Sequence, residues 1–376
     1  MPTDAEENQA KSSKNRAILR SAIGVTTAFA IAQILNWTLA YMTALFVALL
    51  LQAPRPLPLK AGVSFVLVAI SASLAGYALA VFVLPYPGAA AIIIVLLLAN
   101  IFYIGAKGGS PLLVVFGLLA VLLLPLLGQT SPGLTGVVAG ALVINIALAV
   151  LLSWLAFLII PTVETSAPPP PTPQIPSDFD ATIAALKMTA VVAPIALLFL
   201  SFKWGLILAL INAAILAQQL SAESGTKAAA GMLAANLLGG AASVLIYYFL
   251  IAAPSLPLLL MLIFAAALLF GEQIYSGKAN GKLWASGFTT ILLILGGILS
   301  PTSDGASAKL ADRVWQIGLA ALYVAFAYTL LNEIIRHSKK AGRYWTVTKS
   351  FTQDSYRKIF PKKLKSKHQA KTTPGK

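Results

Sequence analysis

The chain has 376 residues, 27 Lys and Arg against 12 Asp and Glu, a net charge of +15 and a mean hydropathy of +0.84. Hydrophobic residues make up 58% and charged ones 10%, where a soluble protein of this size keeps about a quarter of its residues charged. So little polar surface excludes a water-soluble fold, and the absence of cysteine excludes thiol catalysis, disulfides and thiolate metal sites.

From the N-terminus, residues 1–16 are polar and are followed by an apolar span too long for a signal-peptide core, so an uncleaved first helix is expected. Apolar blocks then recur at 17–36, 38–53, 60–84, 88–104, 110–127 and 133–160. A second series follows at 183–202, 204–220, 227–251, 255–272, 282–299 and 312–336. The blocks lack period-2 alternation, so helices are expected rather than a barrel; in lipid a helix satisfies its own backbone groups. Breaks fall at turn chemistry such as Pro54-Arg55-Pro56, Pro85-Tyr86-Pro87-Gly88 and Ser131-Pro132-Gly133. The predicted fold class is an all-α polytopic membrane protein of about twelve transmembrane helices.

Charge sets the orientation. With the N-terminus cytoplasmic, every Lys and Arg except Lys203, Lys309 and Arg313 falls inside, and the positive-inside rule then predicts both termini in the cytoplasm.

An offset of 167 residues superposes Arg20 on Lys187, Trp37 on Trp204, Gln52 on Gln219 and Lys60 on Lys227. With small drifts Tyr103 meets Tyr275, Lys107 meets Lys278 and Gly117 meets Gly287. Six spans per half is an even number, so the expectation is two parallel six-helix repeats, 17–160 and 183–336, related by an axis along the membrane normal. Between them 161–182 carries the run Ala167-Pro168-Pro169-Pro170-Pro171, and should form an extended cytoplasmic strap between two separately moving bodies. The tail, 337–376, interleaves Lys and Arg with Trp345, Phe351, Tyr356 and Phe360, and is expected to lie on anionic lipid. It carries no nucleic-acid recognition module.

Several residues invite functional readings. The paired cations Arg20 with Lys187, Lys60 with Lys227, and Lys107 with Lys278 lie at cytoplasmic helix ends. Either they ring a mouth that gathers anions or they anchor the helices to lipid phosphates. Gln52 and Gln219 end the second span of each half, as interfacial amides or as ligands for a carboxylate or phenol. Trp37 and Trp204 fit an aromatic belt. Glu272, then Glu333, are the candidates for a titrating coupling group; Asp312 with Arg313 comes next. Gly136 and Gly140 give the sixth span a close-packing face. His337 and His368 both lie in the tail, no zinc or haem motif exists, and Gly225-Thr226-Lys227 lacks the phosphate-loop spacing. No cofactor is expected. With no nucleophile, metal or paired-carboxylate constellation, an enzyme is not expected either.

The order Arg20, Gly24, Trp37, Pro54-Arg55-Pro56, repeated from Lys187 with Trp204, resembles the fusaric-acid-resistance-like superfamily of aromatic acid exporters, in its compact bacterial branch of unknown function. The resemblance covers about residues 16–340 and rests mostly on hydropathy and spacing. It implies a multi-pass protein of the bacterial inner membrane that exports small organic, aromatic carboxylic anions. It also implies work with a membrane-fusion partner or as a homo-oligomer. Plant aluminium-activated malate transporters look distantly similar, which implies an anion channel as the alternative; a membrane assembly factor without substrate is the third. Many exporters of this kind carry a large soluble domain after each membrane half, whereas here only the 161–182 strap and the basic tail follow.

Overall fold

A computed structural model describes residues 4–37, 39–129, 131–162, 177–202, 226–278 and 280–299, with isolated helical positions between 210 and 217 and between 319 and 333. Every regular element among the described residues is a helix, and two compact units divide the chain at Ala325 and Phe326. In the second unit, 326–331 and 333 are helical; the tail and the proline run lie outside the described residues.

In the first unit, α1 spans Asp4–Leu35, α2 Met42–Leu51, α3 Leu59–Ala78, α4 Pro87–Ala106, α5 Pro111–Leu118, α6 Leu124–Gly128 and α7 Pro132–Ile159. Then come α8, Asp178–Phe202; α9, Thr226–Ala252; α10, Leu256–Ile274; and α11, Gly281–Leu299. Among the described residues eight helices are long and apolar enough to cross a membrane. The protein is therefore a polytopic helical membrane protein.

The twelve-span expectation meets this structure with specific differences. The predicted span 38–53 is only the ten residues of α2, about 15 Å of helix against a hydrocarbon core of about 30 Å. The cause is the turn before it, where Asn36 and Leu39 take positive φ, 47° and 58°, and consume the front of the block. The span 110–127 is α5 and α6 joined by a π-helical turn, Leu119–Leu123. The span 204–220 lies outside the described residues apart from isolated helical positions, and most of 312–336 does too.

Two boundaries move outward. Polar residues with good helix propensity carry α1 back to Asp4, into the segment read as a cytoplasmic leader. Helix α8 starts at Asp178, inside the expected strap, because Ser177 caps it and Asp180 holds the capping hydroxyl. The Ser177 hydroxyl accepts from the Asp180 amide at 3.1 Å and donates to its carboxylate at 2.6 Å.

Close crossings of small residues hold the bundle. Helix α3 ends in a π turn, Leu79–Val83, and the two π turns pack reciprocally against glycines. A Cβ on Gly76 would stand 2.4 Å from the Ala120 carbonyl oxygen, and one on Gly128 would stand 2.8 Å from the Ala80 Cβ. Helices α9 and α11 cross at Gly239 and Gly287 in the same manner, where a Cβ on Gly239 would meet the Gly287 carbonyl at 2.2 Å. The expected close-packing face at Gly136 and Gly140 is not used in this way. A Cβ on Gly136 would reach only Tyr77, at 3.5 Å, and nothing lies within 4 Å of one on Gly140.

Helices from both sequence halves share one packed body. Helix α1 lies against α2, α7 and α10, and α8 packs along α4. Both cross-half pairs are antiparallel, and each is clasped at one end by an ion pair: Lys14 to Glu272 at 3.6 Å for α1 with α10, and Lys107 to Asp178 for α4 with α8. The two expected bodies thus meet through a shared core, because the first helix of each half is packed against the other half.

Candidate anion site

Arg20 stands out. It sits mid-way along α1 and is only 3% exposed. Gly24, one turn later, lets α2 approach, since a Cβ there would be 2.6 Å from Leu51 Cδ1. The guanidinium carbon lies 4.0 Å from the centre of the Phe157 ring, near the end of α7. One terminal nitrogen, Nη1, donates to the Ile160 carbonyl at a long 3.4 Å, and the buried Nε makes no hydrogen bond. No carboxylate pairs with Arg20 among the described residues.

A cation taken out of water with one weak hydrogen bond and one aromatic face is under-compensated. Removing a charge from water costs several kcal/mol after relaxation, and a cation–π contact returns roughly 0.5–2. The side chain therefore has spare capacity for an anion, and its fork suits a carboxylate. Arg20 is packed inside the unit and not displayed on its surface.

Tyr275 completes the surroundings. It caps α10, hydrogen-bonds Ser21, lies within electrostatic reach of Arg20, and donates from its hydroxyl to the Leu51 carbonyl at 2.9 Å. Gln52, half-buried, follows Leu51 directly. Sequence reading missed Phe157, Ile160 and Tyr275 as neighbours of Arg20. Their only prior signal was the match of Tyr275 to Tyr103.

The remaining expected residues do not join this cluster. Lys60 is exposed at the start of α3, consistent with an anchor; Lys187 is half-buried on α8. Lys227 belongs to the first turn of α9, but its side chain lies outside the described residues, as do Gln219 and Trp204. Lys107 is held by Asp178, which also accepts from the Tyr103 hydroxyl at 3.1 Å; that carboxylate holds the Lys107 ammonium above its usual pKa. Glu272 is 66% exposed and paired with Lys14, so it sits at the surface of the unit, not in an enclosed cavity. Glu333 lies in the second unit, exposed on a helical position. Trp37 does more than line an interface: its indole donates to Asn145 at 3.0 Å. Asn145 also accepts from Thr43 at 2.6 Å and donates to the Leu39 carbonyl at 3.2 Å, fixing the turn between α1 and α2 onto α7.

Residues 17–156, from α1 through most of α7, match the model of a family described as protein of unknown function, DUF2955. No curated protein and no solved structure matches the chain.

Proposed function

We propose that the protein is a secondary transporter for small organic anions, with Arg20 as the residue that receives the anion's carboxylate. The observation that carries this reading is a buried guanidinium with an unpartnered Nε and, among the described residues, no carboxylate to neutralise it. Burying such a charge without a partner is costly, so a residue kept in this state inside a membrane bundle is a functional-site hypothesis by default. Phe157 beneath the guanidinium suits a substrate with an aromatic ring, and Tyr275 offers a hydroxyl beside it.

The duplicated architecture is part of the proposal. Under the 167-residue offset α1 corresponds to α8 and α4 to α10, so the pairs α1 with α10 and α8 with α4 exchange with one another. Packing of that kind supports a parallel repeat, with alternating access at the two cross-half seams. Lys187 stands where Arg20 stands in the other half and takes the corresponding role; Lys60, Lys227, Gln52 and Gln219 gather and orient the anion. Export from a bacterial inner membrane, with the basic tail on anionic lipid and a membrane-fusion protein or a second copy as partner, completes the reading.

The test is flux of an aromatic carboxylate, benzoate, from proteoliposomes. Transport by the intact protein, abolished in Arg20→Leu at unchanged folding, is the expected result. No flux under any gradient overturns the transporter, leaving an assembly factor. Conductance in planar bilayers with no dependence on a proton gradient favours the channel.

A further inference from the structure

A cavity of about 640 Å³ lies at the opposite end of α7 from Arg20. Arg20 meets Phe157 near the C-terminus of that helix, whereas Pro132 at its N-terminus lines the cavity; the 25 residues between them span roughly 37 Å of helix. Small side chains leave the space. Ala80 of the α3 π turn, Ala91 of α4 and Gly128 of α6 form one side, with Leu197 and Ser201 of α8 opposite.

Why this space is not closed follows from the chain. The π turn pins Ala80 against Gly128, fixing the ends of α3 and α6 together. Pro85 and Pro87 stop α3 from continuing and start α4 afresh, since neither can donate a helical hydrogen bond. Pro194 removes a hydrogen bond from α8 just before the stretch that forms the opposite wall. One bond ties that wall down: the Gln129 side-chain nitrogen donates to the Leu200 carbonyl at 2.6 Å.

The lining defines a ligand chemistry different from that at Arg20. No Asp, Glu, Lys, Arg or His is among the described residues that line this cavity, and those residues offer an ion no compensation. Among the described lining residues two side-chain polar atoms remain uncommitted. Gln129 uses its nitrogen on Leu200 and keeps its Oε1 as an acceptor, and the Ser201 hydroxyl makes no hydrogen bond among the described residues. The rest is aliphatic. The volume falls in the range that takes a small organic molecule.

We propose that this cavity is a binding site for an uncharged small molecule with an apolar ring system and one hydroxyl. The hydroxyl donates to Gln129 Oε1 and accepts from Ser201, while the ring packs among Ala91, Leu197 and Gly128. The site does not depend on the anion reading for Arg20, since it shares none of those residues.

The natural lack of cysteine makes the experiment direct. Single-cysteine variants Ala91→Cys and, from the opposite wall, Leu197→Cys are placed in lipid nanodiscs and labelled with a water-soluble maleimide. The probe is 1-naphthol, compared with naphthalene-1-sulfonate, which has the same rings but a fixed charge. Gly88→Cys, where a Cβ would stand in open space, is the control. The expected result is that 1-naphthol slows labelling at 91 and 197 several-fold, leaves 88 unchanged, and is not matched by the sulfonate. Adding Ser201→Ala should weaken that protection about fivefold, the worth of one ordinary hydrogen bond. Failure of both positions to label marks a cavity filled by lipid and overturns the proposal. Labelling without protection overturns it as well, and so does equal protection by the sulfonate.

Discussion

The guanidinium of Arg20 lies 4.0 Å from the centre of the Phe157 ring, and these two residues join α1 to α7. The pair separates two properties that usually go together, folding and charge recognition. Replacing a buried charge by an apolar side chain of similar volume is often neutral or stabilising, by about 1–4 kcal/mol. Arg20→Met should therefore melt no lower than the natural protein. It should lose any thermal stabilisation by millimolar benzoate that the natural protein shows. Phe157→Ala should instead lower stability by about 3 kcal/mol, because it opens a cavity and removes the aromatic face. Melting curves of the purified protein, with and without benzoate, check all three statements.

Asn145 is the second point of leverage. It satisfies the Trp37 indole, the Thr43 hydroxyl and the Leu39 carbonyl at once. Asn145→Leu strands three polar groups, at about 1–3 kcal/mol for each that stays buried and dry. We expect a loss of several kcal/mol and a blue-shifted Trp37 emission. Conservation of both melting temperature and emission would show that the turn holds without this hub.

The close helix crossings make a contrast of glycines. Gly239→Ala and Gly76→Ala each push a methyl into a backbone carbonyl, and overpacking of that kind costs about 1–3 kcal/mol. Gly140→Ala places its methyl in open space and should be neutral or slightly stabilising, since alanine is the better helix former. Parallel thermal unfolding of the three variants is sufficient. A destabilised Gly140→Ala with the other two unaffected would reverse the assignment of the crossing points.

The clasp between Lys107 and Asp178 predicts an alkaline opening of the α4–α8 seam. The carboxylate raises the Lys107 pKa above its ordinary value of 10.5. A raised pKa means that the contribution is complete below the unfolded value and is lost as pH climbs through the folded one. The clasp should thus be intact at neutral pH and release above about pH 10.5. A spin label on Phe179→Cys, next to the clasp, should gain mobility over that window. In an added Asp178→Asn background the mobile spectrum should already be present at pH 7, and an unchanged spectrum there would remove the clasp from the account.

Much of this molecule was legible along the chain. Apolar blocks of spanning length gave membrane helices, and the turn residues Pro85, Pro87, Ser131 and Pro132 gave helix ends, because both are local properties of a backbone that must satisfy itself in lipid. Where local reading erred, the competing effect was also local but quieter. The cap at Ser177 started α8 early, and left-handed residues at 36 and 39 shortened α2. The candidate site was legible only in part. Arg20 was visible as a cation at a helix end, yet nothing in its spacing separated a buried guanidinium from an anchor on lipid.

Sequence by itself determined the class of protein and the positions of most helices, since hydropathy and backbone satisfaction act residue by residue. The tertiary structure decided the rest: that Arg20 is enclosed by Phe157, Ile160 and Tyr275 while Glu272 is at the surface, and that α1 and α8 cross to the opposite halves. It also decided that the tight crossings fall at Gly76 and Gly239, not at Gly140. Burial and partnership are properties of several helices at once. They depend on which faces meet, and no one-dimensional pattern of apolar residues specifies that.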